Sequence, residues 1–133
     1  MAERIGRFKP GENLPCFCAE AIPEGRCVAI SGNKTTQGDY QVKLAGANVT
    51  RAEIVGVSQR SGSGSDPTTS WTRRIEAQES GVVWIKAAAA ITAGKAVYCS
   101  GSGEVKEIAA EKNAIGVCMN AATEGGWAEV KLS

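Results

Sequence analysis

The sequence predicts an all-β fold, a small duplicated β-barrel or sandwich of short strands with an extended N-terminal arm and a long surface excursion. Three observations carry that prediction. Short apolar or alternating segments recur at intervals of about 10 residues, the spacing of sandwiches and small barrels. Turn formers separate them: the chain has 16 Gly in 133 residues and only 5% aromatics. One strand–turn–strand unit also occurs twice, 69 positions apart. At roughly 100–200 residues per domain, the length allows one domain.

Residues 1–15 (MAERIGRFKPGENLP) show neither helical nor strand periodicity and carry Pro10, Gly11 and Pro15, so they read as an extended arm. Residues 16–32 hold two apolar stretches split by the turn Ile22-Pro23-Glu24-Gly25, where Pro suits the second turn position and Gly tolerates positive φ. Cys27–Ile30 is a short strand stopped by Ser31-Gly32-Asn33. Tyr40–Leu44 alternates as a half-buried strand, and residues 53–57 form another. Residues 58–80 break the rhythm. Their Ser/Gly-rich first half cannot pack a core, and loops beyond about 12–15 residues are uncommon unless functional or disordered. Strands resume at 82–86. Ala87–Ala90 favours helix by propensity, but Val, Trp and Ile precede it and Gly94 follows too soon for a helix of normal length. Strands at 95–99, 104–108, 114–119 and 127–132 complete the chain.

The duplication aligns residues 19–32 (AEAIPEGRCVAISG) with 88–101 (AAAITAGKAVYCSG), 7 of 14 identical, including Ile22/Ile91, Gly25/Gly94 and Val28/Val97. Downstream, Gly38-Asp39 aligns with Gly103-Glu104, and residues 54–57 with 114–117. The expected domain is therefore 16–133, built of related halves at about 16–57 and 81–133, with 58–80 inserted between them.

Lys plus Arg is 15 against 14 acids, a net +1. Such a chain lacks the basic field that non-specific nucleic-acid binding uses. His is 0, which removes Ser-His-Asp triads, Cys-His pairs and His metal sites. Five Cys is an odd count, read as free thiols of a reducing cytoplasm. The N-terminus has no apolar h-region, which argues against a signal peptide. The longest uncharged apolar run, near 87–93, is too short to cross a bilayer.

Candidate chemistry is sparse. Cys16-x-Cys18 lacks the second Cys pair of a zinc site, and in a strand both thiols point the same way as small apolar groups. Gly62-Ser63-Gly64-Ser65 and Gly101-Ser102-Gly103 lack the Lys-Ser/Thr of a phosphate loop. No carboxylate pair or nucleophile–base pair stands out, so the chain reads as no enzyme and calls for no cofactor. Trp71, Arg73 and Arg74 combine residue types favoured as interface anchors; the bland reading has Trp71 folded onto the barrel. In the arm, Arg4, Arg7 and Lys9 lie among Glu3 and Glu12, with Phe8 as a candidate apolar anchor to a partner surface.

The order Ile91-x-x-Gly94-x-x-Val97, Gly103-x-Val105, Ile115-Gly116-Val117-Cys118-x-x-Ala121 and Gly126-x-x-Glu129-Val130-Lys131-Leu132 resembles the capsid decoration, or cement, proteins of tailed bacteriophages. The resemblance covers about 81–133 and, through the duplication, 19–57; the 58–80 segment and the longer arm depart from it. It implies a non-enzymatic β-domain on the exterior of the virion, assembled in the host bacterial cytoplasm. There it would stabilise the shell by bridging major capsid proteins, commonly as trimers at local threefold positions, with no nucleic-acid or membrane partner. Arg4, Arg7, Phe8, Lys9, Trp71, Arg73 and Arg74 would be its capsid contacts. Two alternatives stand beside it. A carrier module of biotinyl/lipoyl type needs a Lys at a hairpin tip beside Met, and no Lys adjoins Met1 or Met119. An oligosaccharide- or nucleic-acid-binding barrel needs several exposed aromatics on one face, and the chain has seven aromatic residues in all.

Overall fold

Alternation of side chains decides where the strands lie. The computed structural model describes residues 13–35, 38–62, 74–109 and 111–133. Among them are ten strands and one 3-10 turn, Arg51–Glu53, and no α-helix. The first five are β1 (Asn13–Cys18), β2 (Cys27–Ile30), β3 (Tyr40–Leu44), β4 (Ile54–Ser58) and β5 (Arg74–Gln78). They close into a barrel in the order β1-β3-β2-β4-β5. β1 turns Leu14, Cys16 and Cys18 inward and β5 turns Ile75 and Ala77 inward; with Ile22, Val28 and Val42 these fill the barrel.

The second five are β6 (Val82–Lys86), β7 (Ala96–Gly101), β8 (Glu104–Glu107), β9 (Gly116–Cys118) and β10 (Trp127–Leu132). Their sheet runs β6-β10-β9-β7-β8. A parallel bridge between Ala87 and Val105 joins its two edges. This is the strand order of the first barrel, and the registers repeat too. Val28 faces Gly56 as Val97 faces Gly116. Leu14 faces Ala77 as Val83 faces Val130. Cys18 lies beside Val42 in parallel, as Ala87 lies beside Val105. The antiparallel bridge Ile22–Gly62 recurs as Ile91–Ala122.

The two five-stranded units thus repeat one strand order and register, and their boundaries differ from the sequence reading. Residues 74–78, expected inside the excursion, are the fifth strand of the first unit, the counterpart of β10. The interruption lies within the first unit, between β4 and β5, and not between the halves. Its alternation, Ile75 and Ala77 in, Arg74 and Glu76 out, was legible but hidden behind the Ser/Gly-rich stretch before it. The expected arm also shortens, because Asn13, Leu14 and Pro15 already belong to β1. Finally, Val42 is the partner of Val105, 63 positions on, and this register does not align Gly38-Asp39 with Gly103-Glu104.

The two units pack face to face. Cys27, Ala29, Ala45, Ile54 and Val57, on the outer side of the first barrel, share one apolar cluster with Val83, Ile85, Val97, Cys99 and other buried residues of the second. Backbone bonds cross the seam: Cys27 N–H to the Gly103 carbonyl at 2.9 Å, Lys86 N–H to Gly25 at 2.9 Å, and Asn48 N–H to Cys99 at 2.7 Å. Gly103 has φ +71°, and a Cβ there would lie 2.7 Å from the Cys27 carbonyl oxygen, so only glycine allows this approach.

Candidate docking surface

The thiols come first, because they are the most reactive groups present. All five are free and buried. Burial, helped by Cys18 and Asp39 nearby, pushes the Cys16 thiol up to about 12. The hydrogen bond with Cys99, then burial, pushes Cys27 well above the ordinary thiol range. These are protonated, enclosed groups, packed as small apolar side chains. Among the described residues no three His, Cys, Asp or Glu side chains cluster as a metal site.

Of the seven residues singled out from sequence, Arg4, Arg7, Phe8, Lys9, Trp71 and Arg73 lie outside the described residues. Arg74 opens β5. Its guanidinium sits 3.0 Å from the Asp39 carboxylate and 5.9 Å from the centre of the Phe17 ring. Arg60 donates to its carbonyl at 2.8 Å. The Arg74 side chain is partly exposed, but its charge is already engaged on the barrel wall.

Sequence reasoning missed an exposed apolar face among the described residues. β6 alternates strictly: Val83 and Ile85 point into the core, so Val82, Trp84 and Lys86 point out. On β10, Ala128, Val130 and Leu132 point in, leaving Trp127, Glu129 and Lys131 outside. Pairing places Trp84 beside Glu129, Val82 beside Lys131 and Lys86 beside Trp127. Val117 and Met119 extend the same face across β9. Trp84 is 57% exposed and Trp127 42%. The signal was present: a Trp on the outward register of a strand has no core to fill.

A groove of about 480 Å³ runs along this face at the seam of the two units. The second unit supplies Val82, Trp84 and Trp127; the first supplies Glu24, Gly25, Ser58, Gln59 and Gln78. The first-unit wall is rigidly bonded. The Ser58 hydroxyl donates to the Pro23 carbonyl at 2.7 Å and accepts from Arg26 N–H at 3.0 Å. Gln78 donates to the carbonyls of Ser80 and Val82 at 3.0 and 3.2 Å. The Lys86 ammonium lies 5.2 Å from the Trp127 ring centre, a cation–π contact at the groove's end. The groove thus sets two exposed indoles against a hydrogen-bonded polar wall, the mix of apolar centre and polar rim that protein interfaces use.

Comparison with known proteins follows from this geometry. The family model described as structural cement protein (E217 gp24/Pam3 gp6) matches residues 9–133. In solved structures, the head fiber gp8.5 N base of bacteriophage phi29 is similar at a TM-score of 0.71 and 13% identity. The match covers 91% of this chain and 92% of that one, and at this identity it speaks to the fold alone. No curated protein matches the chain in sequence.

Proposed function

Because the chain belongs to the phage structural cement protein family, and is thus a structural component of the virion, we propose that it binds the outside of the assembled capsid and bridges neighbouring major capsid proteins. On this reading it stabilises the shell without catalysis. It associates with its own copies as a trimer at local threefold positions. The observation that carries the reading is the family match across residues 9–133, which takes in both repeated units.

The physical chemistry supports it. A bridge needs a rigid body and several weak grips, because each contact raises the effective concentration of the next. A closed barrel packed on a second five-stranded sheet supplies the body. A net charge of +1 spares crowded copies from mutual repulsion. Arg4, Arg7, Phe8 and Lys9 of the arm and Trp71, Arg73 and Arg74 before and within β5 are the proposed capsid contacts.

The test is co-sedimentation of purified protein with undecorated shells and, separately, with unassembled capsid protein. Binding to shells in preference to free subunits supports the reading. Failure to pellet with shells at micromolar concentration overturns it.

A further inference from the structure

We propose that copies of this chain join head to tail by repeating the seam between its own two units: the open outer face of the second unit, at Ala96, Tyr98, Ile108 and Val117, seats on Ile30 of the next copy's first unit. This rests on the self-association proposed above and deepens it by naming the two surfaces.

The internal seam supplies the pattern. The first unit covers the second with Cys27, Ala29, Ala45 and Val57, and all four share one buried cluster with Cys99. The Cys27 thiol is hydrogen-bonded to that of Cys99. Asn48 N–H reaches the Cys99 carbonyl at 2.7 Å.

Each of the four covering residues has a register counterpart in the second unit. Cys27 faces Val57 as Ala96 faces Val117. Ala29 faces Lys43 as Tyr98 faces Lys106. Ala45 N–H bonds the Cys27 carbonyl at 2.9 Å, as Ile108 N–H bonds that of Ala96 at 2.8 Å. The two outer faces are therefore bonded alike, but only the first is covered. Ala96, Tyr98 and Ile108 are half-buried, and Val117 is 40% exposed.

The receiving side repeats as well. Cys99 faces Val105 as Ile30 faces Val42. Cys99 is 0% exposed beneath the first unit, whereas Ile30 is 47% exposed. Among the described residues Ile30 is the only large hydrophobic of the first unit that stands exposed. Both halves of the seam thus occur twice, and one of each is left open: the face on the second unit and the seat on the first. That selects the occupant. Within the chain this seat is covered by this face, so the open seat fits the open face of another copy. A contact between unlike faces repeats from copy to copy and closes as a ring or runs on as a filament; a threefold position needs the ring.

Twelve positions separate Ile30 from Val42, and six separate Cys99 from Val105. The longer first-unit hairpin replaces the tight turn at Gly103. The contact between copies therefore keeps the apolar pairs, forgoes the Gly103 bonds and is weaker than the seam within the chain.

The Cys27–Cys99 contact sets the test, because its counterpart between copies is Ala96 against Ile30. In Ile30→Cys/Ala96→Cys, diamide takes up the two thiol hydrogens as an S–S bond forms between copies. Non-reducing denaturing gels of the purified protein at micromolar concentration should show trimers or longer products. Each single variant links like to like and stops at the dimer. The two single variants mixed should yield more dimer than either alone. Independently, Ile30→Asp and Val117→Asp should each weaken self-association about tenfold or more in analytical ultracentrifugation. Their melting midpoints should stay within a few degrees, since both positions are exposed in the free chain.

A double variant that yields no product beyond the dimer overturns the proposal. So does self-association that neither aspartate alters, which would place the contact on another surface. No shells are present in these measurements, so a negative result removes this contact and leaves capsid binding to its own test.

Discussion

The ring of Trp127 fills the space that a Cβ on Gly25 would take. Gly25 is held at φ +68°, where L side chains are strained, in the turn before β2. The contact ties the first unit's turn to the second unit's last strand and fixes one wall of the aromatic groove. Gly94, its repeat partner, has the same left-handed backbone at φ +85°, but nothing lies within 4 Å of its virtual Cβ.

The pair therefore separates backbone strain from steric overlap. Gly94→Ala should cost about 1–2 kcal/mol, the left-handed penalty alone. Gly25→Ala should cost about 2–4 kcal/mol, because the indole must also move. Urea unfolding of the two variants reads the difference, and equal costs would show that the ring contact is not maintained in solution.

Glycines inside β4 and β9 predict a second contrast. A Cβ at Gly56 would lie 2.7 Å from the Gln78 carbonyl oxygen, and one at Gly116 would collide with that of Lys131. Each alanine variant should lose about 1–3 kcal/mol as the fifth strand of its unit is pushed outward. Gly46→Ala is the control: its nearest neighbour is Val49 Cγ1 at 4.0 Å and its φ is not positive, so stability should hold or rise slightly.

Thiol burial sets the alkaline limit. Cys16 is pushed up to about 12 in the fold, against an ordinary value near 9 in the unfolded chain. Below pH 9 both states hold the proton and stability is level. Between pH 9 and 12 the unfolded chain releases it and the folded chain keeps it, so stability falls by up to about 1.4 kcal/mol per pH unit for each such thiol. Cys16→Ser should flatten that decline, measured as the urea midpoint against pH. Intact mass without reductant should show five free thiols.

Arg74 separates barrel contact from capsid contact. Its pairing with Asp39 is partly exposed, so Arg74→Ala should cost only about 1 kcal/mol of stability. As a proposed capsid contact it should also weaken shell binding about tenfold, or 1.4 kcal/mol. Unchanged sedimentation with shells would confine its role to the barrel wall.

Trp71→Ala should reduce shell affinity by about 2 kcal/mol and leave the melting midpoint in place. A fall in stability of about 3–5 kcal/mol, with affinity unchanged, would make Trp71 a packed barrel residue instead.

The fold was legible where residue identity is dictated by geometry. Gly25 and Gly94 lie at positive φ, Val28 and Val97 point into equivalent interiors, and both pairs aligned in the sequence. β5 escaped because Ile75 and Ala77 are only two apolar positions, placed after a stretch that cannot pack. Trp84 was readable as an outward residue, since Val83 and Ile85 claim the other face. That it stands half-open beside Trp127 depends on how the units abut, and no local pattern encodes that. The arm and the Trp71 region lie outside the described residues.

The tandem repeat joins its units through unlike faces, and this makes them unequal tenants of one fold. Val57 on β4 is 0% exposed, sealed against the second unit, whereas its repeat counterpart Val117 on β9 is 40% exposed. A polar or bulky change is barred at the first position and admitted at the second. At this pair the outward position answers to protein in the first unit and to solvent or a partner in the second. Likeness survives at the inward pairs Ile22/Ile91 and Val28/Val97, at the glycines Gly25/Gly94 and Gly56/Gly116, and at Val57/Val117 itself, where one residue type meets two different surroundings.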